Sequence, residues 1–158
     1  MVFRNNRLLR AAALMIAVVG AGVPAAALAA DKDQVIKDRQ ALMKDQIRQW
    51  LAVRNYIQGK ADQAQAASAV DALSKSVPKV PDYFPPGTAG PAPDGKFGTK
   101  PEVWTEHDKF LAANKKVADQ VAVLADAVKS GDKAKTAAAF KELDVCNACH
   151  QDFRAKLQ

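Results

Sequence analysis

An all-α fold, an antiparallel four-helix bundle with one long crossover, is what three observations in this sequence predict. Apolar residues return every three or four positions along most of the chain, and no segment alternates with the period of a strand. Seven of the eight prolines and four of the eight glycines crowd into residues 78–101, which breaks the helical pattern into two pairs. Two helices, a long connection and two more helices describe an antiparallel bundle.

The elements follow in order. Arg4, Arg7 and Arg10 form a basic stretch, Ala11 to Val19 an apolar run, and Ala27-Leu28-Ala29 a small-residue cleavage signal. Together they predict a secretory signal peptide over residues 1–29, with the bundle in 30–158 and, in a bacterium, a periplasmic destination. The apolar run is short and alanine-rich, so no stable membrane insertion is expected. With the leader gone the formal net charge falls from +6 to +3. Lysines and acids then interleave without a clustered basic face, so nucleic acid is not an expected partner.

A first helix is expected over about 33–58, where Ile36, Met43, Ile47, Trp50, Leu51 and Ile57 share a stripe that Gly59 ends. A second, alanine-rich helix fits about 61–77, stopped by Pro78. The proline-rich crossover carries Val80, Tyr83, Phe84 and Phe97, with Val103 and Trp104 just after, which is too apolar for a solvated tether and predicts an ordered loop. Pro101-Glu102 suits the start of a third helix over about 102–130, with a stripe from Trp104, Phe110, Leu111, Val117, Val121, Leu124 and Val128. Gly131 closes it, and Asp132 can cap a fourth helix over about 132–157.

That fourth helix carries Cys146-Asn147-Ala148-Cys149-His150, the Cys-x-x-Cys-His attachment signature of a c-type haem. Two thiols one helical turn apart can add to the vinyl groups of one porphyrin, and the next residue offers an imidazole to its iron. The rival readings lack their context. A thioredoxin-like pair needs a strand before the first cysteine, and the approach here is alanine-rich and helical. A structural zinc needs four ligands, and beyond the motif the chain offers only the distant His107 as a further histidine or cysteine. A plain disulfide would leave His150 without a role.

Three places resemble the class II cytochromes c, cytochrome c′ and its low-spin relatives. The motif lies at the very end of the chain, as Cys146-Asn147-Ala148-Cys149-His150-Gln151-Asp152-Phe153-Arg154. The first helix carries Arg39-Gln40-Ala41-Leu42-Met43, similar to the family's distal segment. Phe84-Pro85-Pro86-Gly87-Thr88 and Lys100-Pro101-Glu102-Val103-Trp104 resemble its crossover. The resemblance implies one covalently attached haem c per chain, held by Cys146 and Cys149, with His150 as proximal iron ligand. It places Arg39 and Gln40 near the haem and its propionates. A guanidinium and an amide suit that role chemically, and a solvated helix face is as ordinary a setting for them. Arg154, one turn after His150, reads either as a charge over the imidazole or as a helix-end complement.

Met43 is the only methionine outside the leader. A methionine in an apolar stripe is commonly a core filler, whereas its distal placement makes it a candidate sixth ligand. If it binds iron, the expected function is periplasmic electron transfer with redox partner proteins. If it only covers the iron, the expectation is a five-coordinate binder of small gases such as nitric oxide or carbon monoxide. Nothing in the sequence resembles an enzyme's paired carboxylates or activated nucleophile, so no enzymatic role is expected. Family resemblance allows a homodimer through the first two helices, with Trp50, Val53 and Tyr56 readable as core or as interface.

Overall fold

The computed structural model describes residues 25–143 and 145–157. Its helices are α1 (Ala25–Ile57), α2 (Gln63–Ser76), α3 (Glu102–Thr105), α4 (His107–Lys129), α5 (Lys133–Glu142) and α6 (Val145–Phe153), and two short strands are β1 (Phe97–Thr99) and β2 (Arg154–Lys156). Helix α1 packs on α2, α2 on α4, α4 on α5, and α5 returns to α1, which closes a four-helix bundle with α5 and α6 as the fourth member. The leader expected over 1–29 lies, up to residue 24, outside the described residues. Helix α1 already runs through the remainder.

Local chemistry accounts for the ends. Asp62 caps α2 by accepting from the Gln65 amide at 2.8 Å, and the Gln65 side chain accepts from the Asp62 amide at 3.1 Å, a reciprocal capping box. Asp132 caps α5 through the amides of Ala134 and Lys135. Gly59 and Gly131 close α1 and α4 at φ of 74° and 72°, a conformation that a side chain would strain. Two long-range bonds tie these turns together: Tyr56 Oη donates to the Gly131 carbonyl at 3.2 Å, and Gln63 Nε2 to that of Val128 at 2.9 Å.

Between these helices lies a first apolar core. Val53, Val70, Leu124 and Val128 are fully buried in it, and Ala66 and Ala69 let α2 approach its neighbours closely. Val53 and Tyr56 belong to this core, which removes them from any surface. Trp50 is half-buried against Phe140, with ring centroids 4.7 Å apart.

Several elements depart from the periodicity. Helix two ends at Ser76, just before Pro78 as expected, but a 3-10 turn follows it directly over Val77–Tyr83, with Pro78 in its first turn where a missing amide costs little. Helix three is broken at Glu106, at φ −119° and ψ 45°, into α3 and α4. The fourth helix is likewise two pieces, α5 and α6, and it ends at Phe153 rather than near 157. Strand pairing, unexpected from the sequence, takes its place: Arg154–Lys156 lies antiparallel to Phe97–Thr99, with Phe97 opposite Lys156 and Thr99 opposite Arg154. Three-residue strands are too short to show a period of two. Ile47 and Leu111, whose spacing puts them on apolar stripes, are 56% and 39% exposed.

Leu124 has no exposed surface, so Leu124→Ala leaves a cavity between α2 and α4. Urea titration of the haem-loaded protein should show a loss of about 2–5 kcal/mol.

Candidate haem site

The site is built on α6. Cys146 and Cys149 lie one turn apart, half-buried and not joined by a disulfide. They face different surroundings. Cys146 packs against the first core, and Cys149 packs against a second cluster formed by Val80, Val103, Phe110 and Phe153. The motif therefore straddles the seam between two apolar regions.

The second cluster is where distant parts of the chain converge. Val80 arrives from the 3-10 turn, Val103 from α3, Phe110 from α4 and Phe153 from α6, while Leu42 and Met43 reach it from α1. Phe110 meets Phe84 and Phe153 edge-on, at centroid distances of 5.1 and 5.3 Å. Trp104 donates from its indole nitrogen to the Phe84 carbonyl at 2.9 Å and so fixes the crossover against α3. Met43 and Cys149, far apart in sequence, thus share one apolar environment.

Burial shapes the titration of the motif. It pushes the Cys149 thiol up to about 11, with the charges of Cys146 and Asp152 adding to the effect. It also holds the His150 imidazole below its ordinary value, and the nearby positive charge of Arg154 adds to this. The neutral imidazole so favoured is the form that binds a metal.

Arg39 is 6% exposed and clasps the crossover. Its Nε donates to the Tyr83 carbonyl at 2.8 Å, its Nη1 to the Thr88 carbonyl at 3.2 Å and to Thr99 Oγ1 at 2.8 Å, and its Nη2 to Thr88 Oγ1 at 2.6 Å. The guanidinium also lies 4.1 Å from the centre of the Phe84 ring. Burial pushes its pKa down to about 10, which still leaves it charged at neutral pH. Gln40 turns to Asp94 of the same crossover, where Lys44 also sits at 4.0 Å. Both residues engage the loop, a role that local sequence does not reveal because their partners lie 44 to 60 residues away.

Two further residues complete the neighbourhood. Arg154 opens β2 with its guanidinium 4.4 Å from the Phe97 ring centre. Glu102, in α3, keeps Oε2 buried without a hydrogen-bond partner among the described residues. His107 is exposed on α4, its Nδ1 3.2 Å from the Val103 carbonyl. No group of three or more His, Cys, Asp or Glu among the described residues is arranged to hold a metal ion by itself, and His150 directly follows Cys149 on α6.

These residues fit a covalent haem. Two thiols on one helical turn, a neutral and half-buried imidazole beside them, and an apolar cluster open to both α1 and α6 match the needs of a porphyrin tethered at one edge. Arg39 adds a buried cation with no carboxylate partner among the described residues, a setting that suits a propionate nearby. Bundle and site together define a c-type haem protein with its attachment motif on the last helix.

The chain belongs to the cytochrome c′ family, whose model matches residues 34–154. It is similar to cytochrome c′ of Rhodospirillum rubrum, 37% identical over 92 residues, a match spanning 58% of this chain and 60% of that protein. Similarity to cytochrome c′ of Cereibacter sphaeroides is 31% over 150 residues, covering 90% of this chain and 97% of the relative. Cytochrome c-556 of Rhodopseudomonas palustris is 28% identical over 145 residues, covering 89% and 96%. Among solved structures, a nitric oxide complex of a variant cytochrome c prime from Alcaligenes xylosoxidans superposes with a TM-score of 0.69 at 27% identity, over 79% of this chain and 97% of that one. Haem c, covalently attached and carrying iron, is the cofactor of this family.

Thr88 accepts from Arg39 and donates from Oγ1 to the Pro85 carbonyl at 2.7 Å. Thr88→Val removes both bonds at nearly constant volume and leaves a buried charge short of an acceptor. Urea titration of the haem-loaded protein should register a loss of about 1–3 kcal/mol.

Proposed function

We propose that this chain is an electron carrier of the bacterial periplasm, with Cys146 and Cys149 as the thioether sites, His150 as the proximal ligand and Met43 as the sixth ligand. The observation that carries the reading is the shared cluster. Met43 on α1 and Cys149 on α6 pack against one buried cluster, which brings the Met43 side chain beside the region that the motif would give to the haem. The haem supplies a reversible one-electron couple when bound.

The chain's own residues do the rest. His150 and Met43 would both hold the iron in this reading, a ligand pair that would limit rearrangement on electron transfer and raise the potential. Phe84, Phe110 and Phe153 exclude water from the cluster. Arg39 supplies positive charge at its edge. Nothing in this division of labour asks a side chain to act as acid, base or nucleophile, and the reading is of a carrier rather than an enzyme. Its partners are periplasmic redox proteins. The leader over residues 1–29 delivers it there, and no helix of the described residues is long and apolar enough to cross a membrane.

A gas-binding role is the second reading, favoured by the nitric oxide complexes among its structural relatives. In that case Met43 covers the iron without binding it. Self-association is compatible with either reading. Because Val53 and Tyr56 are core residues, a homodimer through α1 would use Ile47 and the outer part of Trp50 instead.

Ferric absorption and electron paramagnetic spectra decide between the readings. The carrier predicts a low-spin ferric haem that Met43→Ala converts to high-spin, with faster carbon monoxide binding by the reduced variant. A high-spin parent spectrum unchanged by the substitution would overturn it. Attachment is tested separately by acid-acetone extraction. Cys146→Ser and Cys149→Ser should each retain haem through the remaining thioether, whereas the double variant should release all of it.

A further inference from the structure

The groups Arg39 touches connect two parts of the molecule that the bundle itself leaves independent. Four of its five N–H bonds are spent on the crossover, three of them on Tyr83 and Thr88. The fourth goes to Thr99 Oγ1, and Thr99 pairs with Arg154 in the two-stranded sheet. That sheet is anchored at both ends by backbone bonds, from the Lys100 amide to the Phe153 carbonyl at 3.0 Å and from the Leu157 amide to the Lys96 carbonyl at 2.9 Å. Lys100 Nζ adds a bond to the Gln151 carbonyl at 2.6 Å.

A continuous path of hydrogen bonds therefore runs from α1 through the crossover to the residues that follow His150. Its two ends are one turn from Met43, which is four positions after Arg39, and four positions after His150 at Arg154. Bonds of this kind resist small displacements because a buried guanidinium that loses an acceptor is left poorly solvated. Met43, by contrast, is half-buried and unbranched, and its own packing defines its position weakly.

We infer that Arg39 is a positioning residue: clamped to Tyr83, Thr88 and Thr99, it holds α1 in register with α6 and so sets how closely Met43 would approach a haem held by the motif. The inference rests on the placement of Met43 given above. It assigns Arg39 an action through the loop, separate from any contact with a propionate.

The test uses haem-loaded protein carrying Arg39→Lys, which keeps the charge and loses the planar fork, and Thr99→Val, which removes one acceptor and no contact with the apolar cluster. Amide hydrogen exchange at Lys100 and Leu157 reports whether the clasp has loosened. The rate of carbon monoxide association with the ferrous protein, with the ferric spin state, reports the approach of Met43. Both variants should speed association by roughly five- to tenfold, the size expected when one charge-assisted hydrogen bond biases a two-state equilibrium. Combined with Met43→Ala, they should add little further, since they act through the same side chain.

Three results overturn the inference: exchange speeds up while association and spin state stay at parental values; Arg39→Lys acts and Thr99→Val does not; or the effects multiply in full with that of Met43→Ala. If Arg39→Lys fails to fold, Thr99→Val with the Met43 cycle carries the same decision. An unchanged spectrum and rate in Met43→Ala alone would instead refute the placement of Met43, a result distinct from the first three.

Discussion

A guanidinium buried without a carboxylate loses the solvation of a full charge and must recover it from neutral groups, and Arg39 is such a guanidinium. It recovers that solvation from two carbonyls, two hydroxyls and the face of an aromatic ring, all supplied by the crossover or by β1. The dependence runs in both directions. Without these acceptors Arg39 would be driven to solvent, and without Arg39 the Thr88 and Tyr83 carbonyls would have no donor from α1. The crossover is long and its seven prolines give it no donor at those positions, so the bonds of Arg39 at Tyr83, Thr88 and Thr99 add to the backbone bonds it makes itself.

That ordering explains why the molecule has two apolar regions rather than one. The first core is the ordinary product of amphipathic helices and closes with alanines and valines. The second needs residues that no helix pair provides, since Val80 and Phe84 come from the crossover and must be brought over Phe110. Breaks in the helices serve the same end. The change of direction at Glu106 lets α3 place Val103 and Trp104 against the loop, and the interruption before Val145 frees α6 to set Cys149 on one region while Cys146 stays on the other. A single straight fourth helix would have less freedom to serve both.

Residues that act locally were legible in the sequence, and residues that act at a distance were not. Asp132, Gly59 and Gly131 announce helix ends because a cap or a positive φ concerns only its immediate neighbours. The haem motif is legible for the same reason, since its spacing is a fact about one helical turn. Ile47 and Leu111 misled because helical spacing marks a stripe without stating how wide the covered part is. The strands escaped notice because three residues cannot display a period, and the pairing of Thr99 with Arg154 spans the third and fourth helices. Arg39 and Gln40 were recognised as special through resemblance, while their contacts depend on how the crossover returns over α1.

On the proposed reading the motif on α6 supplies the attachment thiols and one iron ligand in carrier and gas binder alike. The two differ in whether the Met43 sulfur binds the iron or only covers it. The position of that sulfur is poorly controlled by dispersion contacts around a flexible thioether, each worth only about 0.1–0.2 kcal/mol per atom pair. It is better controlled by directional bonds from the helix that bears it, and on α1 Arg39 and Gln40, within one turn of Met43, make such bonds to the crossover. If Arg39 positions Met43 as proposed, reactivity depends on how the loop grips the first helix, and substitutions in residues 83–99 would alter it from a distance.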